Sequence, residues 1–157
     1  MFNTILVPLD GSELSERALP MAEGLAKSSE ATVHLIQMVS REHEMAAGRG
    51  TDSSFQAAEL EMDMARRLTE SQLNRGRLYL EQMGSQLKTA GIKIETEFTV
   101  KAGDPSENII AYAKEHGINL VVMSSHGHGG LRRLLVGSVT DRVIRSCEVP
   151  VLVVPCS

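Results

Sequence analysis

Short apolar runs alternate with longer amphipathic segments along the whole chain, and this alternation leaves few possible folds. Five runs rich in valine, isoleucine and leucine recur, and a segment of helical periodicity separates each run from the next. Parallel strands need a long crossover connection, usually a helix, whereas antiparallel strands can be joined by a tight turn. We therefore predict an α/β fold with an open, doubly wound, mostly parallel sheet that is covered by helices on both faces.

The size and charge of the chain limit its class. The chain has 157 residues, of which 42% are hydrophobic. We therefore predict that residues 1–157 form a single domain with one core. A formal net charge of −4 argues against a nucleic-acid partner, which favours a basic surface. No apolar run approaches the length that a membrane span needs. We expect a cytoplasmic protein in which the polar, glycine-containing segment 41–54 forms a mobile loop.

A long helix is predicted from Phe55 to about Ala90, where Gly91 ends it. Apolar side chains recur along it at helical spacing, and we expect them to face the core: Leu60, Met64, Leu68, Leu80, Met83 and Leu87. The next strand, "IKIETEFTVK", alternates apolar and polar residues, which is typical of an edge strand with one face in water.

Capping residues mark the starts of two shorter helices. Ser12 or Asp10 can cap the first of them, in which Pro20 is expected to cause a kink because proline lacks a backbone N–H. Asp104 can cap the second, and Pro105 fits its first helical position.

Cysteine and histidine residues are scattered. Cys147 falls on the apolar face of the last helix and is interpreted as a buried, inert thiol, whereas Cys156 is expected in a mobile C-terminus. His34, on an apolar strand, and His116, near a helix end, are interpreted as structural. The sequence therefore predicts neither a disulfide framework nor a metal site.

The glycine-rich stretch "MSSHGHGGLRRLLVGSVTD", residues 123–141, follows the fourth strand. In doubly wound sheets, ligands bind beyond the carboxyl ends of the strands, where the strand order reverses. Gly127 and Gly130 allow the backbone to approach a bulky anion, and Gly137 opens a helix whose free N–H groups attract anions. Hydroxyl groups that could bind phosphate are those of Ser124, Ser125, Ser138 and Thr140.

The same stretch has a plainer interpretation. Ser138 and Asp141 have the spacing of a capping box, which needs no ligand, and glycine-rich loops are often only turns. Two better-known phosphate motifs are absent from the sequence, because no Gly-Lys pair occurs and "LDGSEL" carries one glycine after the first strand. From the residues alone, a nucleotide site and a plain turn both stay open.

From "ILVPLDGSELSERAL" to "PVLVVP" the chain resembles a single-domain universal stress protein. The nucleotide motif of that family is Gly, two residues, Gly, nine residues, and then Gly followed by Ser or Thr. Gly127, nine intervening residues, Gly137 and Ser138 match its second part, whereas Ser124 stands in place of the first glycine. The resemblance implies a Rossmann-like sheet of five parallel strands, similar to that of the adenine nucleotide alpha hydrolases, which binds ATP with or without Mg²⁺.

The resemblance also assigns residues to the ligand. Those expected at adenosine are Pro8, Leu9 and Asp10, with Met38 at adenine. Those expected at the ribose and phosphates are Ser124, His126, Gly127 and Gly130, and those expected to hold the phosphate chain at the helix start are Gly137, Ser138, Val139 and Thr140. Members of the family commonly form homodimers through the last strand, here the apolar "PVLVVP", and a bare apolar edge favours such pairing.

Three classes of function stay open at this point. We favour a nucleotide-binding regulatory protein of the stress response, and we assign no catalytic residue. A slow ATP hydrolase is one alternative, although no Gly-x-Ser-x-Gly elbow or dedicated base is present in the sequence. A member that binds no ATP and acts through unidentified protein partners is the other, and Ser124 favours it. We expect Gly127→Val to block the approach of phosphate while leaving the fold largely intact.

Overall fold

The computed structural model describes residues 2–40, 55–101, 104–127 and 136–156. Its elements follow one another in the order β1 (Thr4–Leu9), α1 (Glu13–Glu16), α2 (Leu19–Ser29), β2 (Thr32–Ser40), α3 (Phe55–Thr89), β3 (Lys93–Lys101), α4 (Pro105–Glu115), β4 (Leu120–Ser124), α5 (Ser138–Ser146) and β5 (Val151–Val154). The predicted loop at 41–54 lies outside the described residues.

The five strands form one parallel sheet in the order β3-β2-β1-β4-β5. β1 lies in the centre, paired with β2 on one side and with β4 on the other. The strand order reverses between β1 and β4, so their carboxyl ends form the switch point of a doubly wound sheet. The predicted fold is therefore confirmed, and so is the edge position of β3.

Helices cover both faces of the sheet with apolar side chains. On one face α2 and α3 pack against the sheet, and Val7 and Leu80 belong to this core cluster. On the other face α4 and α5 bring Ile109 and Val143 against Leu6. Neighbouring strand residues point to opposite faces, which is why Leu6 and Val7 belong to different clusters.

The long helix α3 ends at Thr89, and Gly91 follows it with a φ of +84°, as predicted. Its C-terminal apolar residues, Leu80, Met83 and Leu87, are buried in the core. Met64 is 58% exposed, so the prediction of a core-facing stripe is wrong at this residue. Thirty-five helical residues span about 52 Å, whereas the strands of nine residues span about 30 Å, so a stripe along the whole helix exceeds the sheet that it could cover.

None of the helices within the described ranges combines the length and apolarity of a membrane span.

The first predicted helix is divided into two. Ser12 caps α1, since its hydroxyl accepts from the Ser15 N–H at 3.2 Å. The chain leaves the helix at Arg17 and Ala18, and Pro20 is the second residue of α2. A proline in the first helical turn loses no intrahelical hydrogen bond. The predicted kink is therefore a break between two helices.

The start of α4 agrees with the prediction. Asp104 is its N-cap residue and accepts from the Ser106 N–H at 2.8 Å, and Pro105 occupies the first helical position. Asp104 also pairs with Arg142, which ties the start of α4 to α5. The two helices of this face are thereby joined near the carboxyl ends of the strands.

Candidate functional site

The carboxyl ends of β1 and β4 and the start of α5 come together at the switch point. β1 ends at Leu9 and β4 ends at Ser124. The Gly137 N–H donates to the Ser125 carbonyl at 2.7 Å, and a Cβ at Gly137 would approach that oxygen to 3.3 Å. Glycine at this position therefore lets α5 begin directly against the turn that follows β4.

Asp10 is held between α1 and the glycine loop. Its Oδ1 accepts from the Ser12 N–H at 2.9 Å and from the Ser12 hydroxyl at 2.5 Å. Its other carboxylate oxygen lies so close to Gly127 that a Cβ at that position would overlap it. Gly127 thus admits the Asp10 carboxylate, and even alanine there must displace it. The expected effect of Gly127→Val is revised accordingly, because the substitution acts first on Asp10.

The serine that replaces the family glycine is turned into the protein. Ser124 is buried, and its hydroxyl donates to the His126 carbonyl at 2.6 Å, which closes the turn after β4. Thr140 is 4% exposed, and its hydroxyl donates to the Ser124 carbonyl at 3.0 Å. The sequence assigns the Thr140 hydroxyl to phosphate, but in the structure this hydroxyl braces α5 against β4.

The start of α5 has no side-chain cap among the described residues. Gly137 is the N-cap residue, and Ser138, which is exposed, is the first helical residue. The capping-box interpretation of Ser138 and Asp141 is therefore wrong, because the box requires its serine at the N-cap. The first backbone N–H groups of α5 lack a side-chain acceptor in this part of the chain, which is the condition that favours an anion at a helix start.

The C-terminus packs against the glycine loop, a contact that sequence reasoning missed. The Cys156 N–H donates to the Ser125 hydroxyl at 3.1 Å, and the Ser125 N–H donates to the Val154 carbonyl at 2.8 Å. The Cys156 thiol lies 3.7 Å from the Leu14 carbonyl oxygen. The expectation of a mobile C-terminus is wrong at Cys156. No residue-type signal could have revealed this contact, because a backbone N–H makes it.

Burial leaves the serine–histidine pair that the described residues bring together poorly placed for nucleophilic chemistry. Ser125 Oγ and His126 Nδ1 are 3.1 Å apart, a distance at which a histidine can activate a serine. Ser125 is buried, however, and the C-terminal segment covers its hydroxyl, to which the Cys156 N–H donates. Within the described ranges, no group of three or more His, Cys, Asp or Glu side chains could hold a metal ion. The arrangement suits a ligand held by backbone N–H groups and the exposed Ser138 hydroxyl.

The other residues that the resemblance assigns to the ligand differ in position and burial. Pro8 is partly exposed near the end of β1, whereas Leu9 is buried in the core beside it. Met38 lies one residue beyond the last paired residues of β1 and β2. Val139 packs its side chain against the core cluster of the α4 and α5 face. Gly130 lies outside the described residues.

Comparison with known proteins agrees with this architecture. The profile of the universal stress protein family matches residues 1–155. The chain belongs to the universal stress protein family. The universal stress protein YxiE of Bacillus subtilis is 32% identical over 154 residues, which cover 98% of this chain and 99% of that protein. The universal stress protein MJ0577 of Methanocaldococcus jannaschii is 30% identical, over 98% of this chain and 95% of its own length.

Solved structures of universal stress proteins share the fold. That of MJ0577 superposes with a TM-score of 0.77 over 100% of this chain and 98% of its own. A universal stress protein in complex with cAMP has a TM-score of 0.65 and 24% identity, covering 99% and 98% of the two chains. The protein from Archaeoglobus fulgidus in complex with dAMP has a TM-score of 0.59 and 19% identity, covering 98% and 97%. The sheet and helices described above are thus the fold of this family.

Proposed function

We propose that this chain is an ATP-binding regulatory protein of the stress response and that it acts as a homodimer. The observation that carries the proposal is the start of α5 at the switch point, where Gly137 holds the helix on the Ser125 carbonyl beside the turn that leads to Gly127. Backbone N–H groups at such a helix start bind phosphate through hydrogen bonds and the helix dipole. No lysine is required for that contact.

The polar groups around the helix start match the parts of an adenine nucleotide. The N–H groups of α5 and the exposed Ser138 hydroxyl would face the phosphates, with Mg²⁺ able to neutralise further charge. The Asp10 carboxylate is an acceptor for the hydroxyl or amino donors of adenosine. The family relatives solved with cAMP and dAMP support the choice of an adenine nucleotide as the ligand class.

The dimer proposal rests on β5. This strand forms an edge of the sheet, and all four of its residues, Val151–Val154, are only partly buried. An apolar edge strand exposes unpaired backbone groups that favour pairing with another strand. A second copy of the same strand would cover it.

The direct test is the nucleotide content of the freshly purified protein. After denaturation, chromatography of the supernatant should release adenine nucleotide in proportion to protein, and ATP is the expected species. Release of ADP would favour the slow hydrolase instead. If no nucleotide is released and calorimetry with Mg·ATP shows no binding, the proposed function is wrong and action through protein contacts replaces it.

A pair of glycine variants locates the site. Gly127→Ala should weaken Mg·ATP binding by about tenfold, because the new Cβ must displace the Asp10 carboxylate. Gly24→Ala is the matched control, since a Cβ at this exposed position of α2 meets no atom within 4 Å. The control should bind as the parent does. Equal affinity in both variants would place the nucleotide elsewhere.

A further inference from the structure

A hydrogen bond joins the long helix α3 to the short helix beside the site. Tyr79 of α3 is partly buried against the core, and its hydroxyl donates to Glu16 Oε1 at 3.0 Å. Glu16 is the last residue of α1. Burial raises the pKa of the Tyr79 phenol above its ordinary value, and the hydrogen bond to the Glu16 carboxylate raises it further. The phenol therefore stays protonated and remains a donor near neutral pH.

The position of α1 is in turn fixed to Asp10. The Asp10 N–H donates to the Ser15 hydroxyl at 3.3 Å, and that hydroxyl donates to the Ser12 carbonyl at 2.8 Å. The Ser12 N–H and hydroxyl both donate to the Asp10 carboxylate. The negative charge of Asp10 makes a small contribution to the raised pKa of Tyr79, and the hydrogen bond with the Ser15 side chain lowers that pKa. The far end of this chain of contacts is the Asp10 carboxylate against Gly127.

We propose that Tyr79 is a positioning residue for the nucleotide site, acting through Glu16 and α1 to set the place of the Asp10 carboxylate beside Gly127. This inference rests on the proposed function and adds that the site is coupled to α3. A rotation or shift of α3 would move Glu16, and with it the loop that carries Asp10. The coupling passes from the phenol to the Glu16 carboxylate, then through the backbone of α1, where the Glu16 N–H donates to the Ser12 carbonyl at 3.3 Å, and from Ser12 to Asp10.

The tyrosine content of the chain offers a matched control and a probe. The chain has two tyrosines and no tryptophan. Tyr112 lies on the opposite face of the sheet, in the cluster of α4 and α5, where its hydroxyl is 3.2 Å from His34 Nδ1. Tyr79→Phe and Tyr112→Phe therefore each remove a phenolic hydroxyl and keep the ring, but only the Tyr79 hydroxyl contacts α1, through Glu16 and Ser15, and so connects to Asp10.

The first measurement is calorimetric affinity for Mg·ATP. Tyr79→Phe should bind about fivefold more weakly than the parent, since one hydrogen bond to a carboxylate is lost while the ring remains. Tyr112→Phe should bind within about twofold of the parent, because its bond does not lead to the site. Thermal unfolding is measured in parallel. A lower Tm for Tyr79→Phe with unchanged affinity would mean that its bond is only structural, and would overturn the inference.

The second measurement is tyrosine emission during titration with Mg·ATP. In Tyr112→Phe the only phenol is Tyr79, and its emission should change on saturation because emission depends on the hydrogen-bond partner. In Tyr79→Phe the remaining phenol should report no change beyond the light absorbed by the nucleotide, which affects both variants equally. An unchanged Tyr79 signal at saturation would contradict the coupling without any risk from misfolding.

Variants of Glu16 test whether Tyr79 and Glu16 act on the site through the same contact. Glu16→Gln keeps an acceptor for the phenol and should retain most of the affinity, whereas Glu16→Ala should reproduce the loss seen in Tyr79→Phe. Combining Tyr79→Phe with Glu16→Ala should add little further loss if both residues act through one contact. Fully additive losses would overturn the inference. If the parent binds no nucleotide, the proposed function and this inference fall together; if the parent binds but these variants match it, only the inference falls.

Discussion

Ser138 and Thr140 lie two residues apart at the start of α5, and their hydroxyls face different surroundings. Ser138 is exposed, whereas Thr140 is buried with its hydroxyl on the Ser124 carbonyl. Both hydroxyls were candidates for phosphate, but only that of Ser138 is accessible. Substitution of Ser138 should therefore change ligand affinity, whereas substitution of Thr140 should change the stability of the fold.

We expect Ser138→Ala to weaken Mg·ATP binding by about tenfold, as the loss of a hydrogen bond to a charged group requires, with stability unchanged. Thr140→Val, which keeps the side-chain shape, should instead lower the free energy of unfolding by about 1–2 kcal/mol. Calorimetry and urea denaturation of both variants test this division. Weak binding by Thr140→Val without loss of stability would reverse the two roles.

Ser124 is a departure from the family motif that need not obstruct a ligand. Its hydroxyl is directed to the His126 carbonyl, so the side chain does not occupy the space beyond the turn. Ser124→Gly should leave the affinity for Mg·ATP within about twofold of the parent, and should destabilise the fold by about 1 kcal/mol through the lost hydrogen bond and the freer backbone. A large gain in affinity would show that the hydroxyl hinders binding.

Three aromatic rings, those of His34, Tyr112 and His116, form a cluster between β2 and α4. His34 is buried, with its ring 6.0 Å from that of Tyr112 and 6.1 Å from that of His116, and the last two rings stack at 3.8 Å. Burial lowers the pKa of His34 below the ordinary 6.5, and the charge of His116 lowers it further, against the opposing effect of Glu95. Burial, with the charges of Glu97 and Glu95, also raises the pKa of Tyr112 to about 12, so the phenol stays protonated near neutral pH.

The depressed pKa of His34 makes the packing of β2 and α4 sensitive to acid. The unfolded chain binds this proton more tightly than the folded chain, so the contribution of His34 to stability is complete above about pH 6.5 and is lost as the pH falls below it. The Tm of the parent should therefore drop between pH 7.5 and pH 5.5. His34→Gln, which cannot titrate, should show a shallower drop. Parallel Tm curves for the two proteins would exclude His34 as the source.

On the scale of the whole molecule, β5 is an edge of the sheet, and the proposed dimer would pair two copies of the chain along it. Val151, Leu152 and Val154 pack against the two core clusters, whereas Val153 is partly exposed and outside both of them. A charge at Val153 would lie beside the side chains of a strand paired at this edge, while leaving the described core contacts in place.

We expect Val153→Glu to shift the protein from dimer to monomer in analytical ultracentrifugation. Met21→Glu, at a position of α2 that is 46% exposed, carries the same change of charge away from the edge and should leave the dimer intact. If Val153→Glu stays dimeric, the interface lies elsewhere. If the parent itself is a monomer, the dimer proposal is wrong.

The sequence by itself determined the architecture, because the signals for it are local. Alternating apolar strands and helices predicted the parallel sheet, the half-polar pattern of β3 predicted its edge position, and Asp104 with Pro105 predicted the start of α4. Each signal depends on residues close together in the chain, so periodicity and capping chemistry are enough to interpret it.

Only the tertiary structure decided which residues contact one another around the candidate site. Asp10 meets Gly127, Cys156 meets Ser125, and Tyr79 meets Glu16 across long separations in sequence. Such contacts depend on how the elements pack, and the type of a residue does not predict which residue far away in the sequence it will contact. The exposed Met64 has the same cause, since helical periodicity marks an apolar face but not the length of sheet available to cover it.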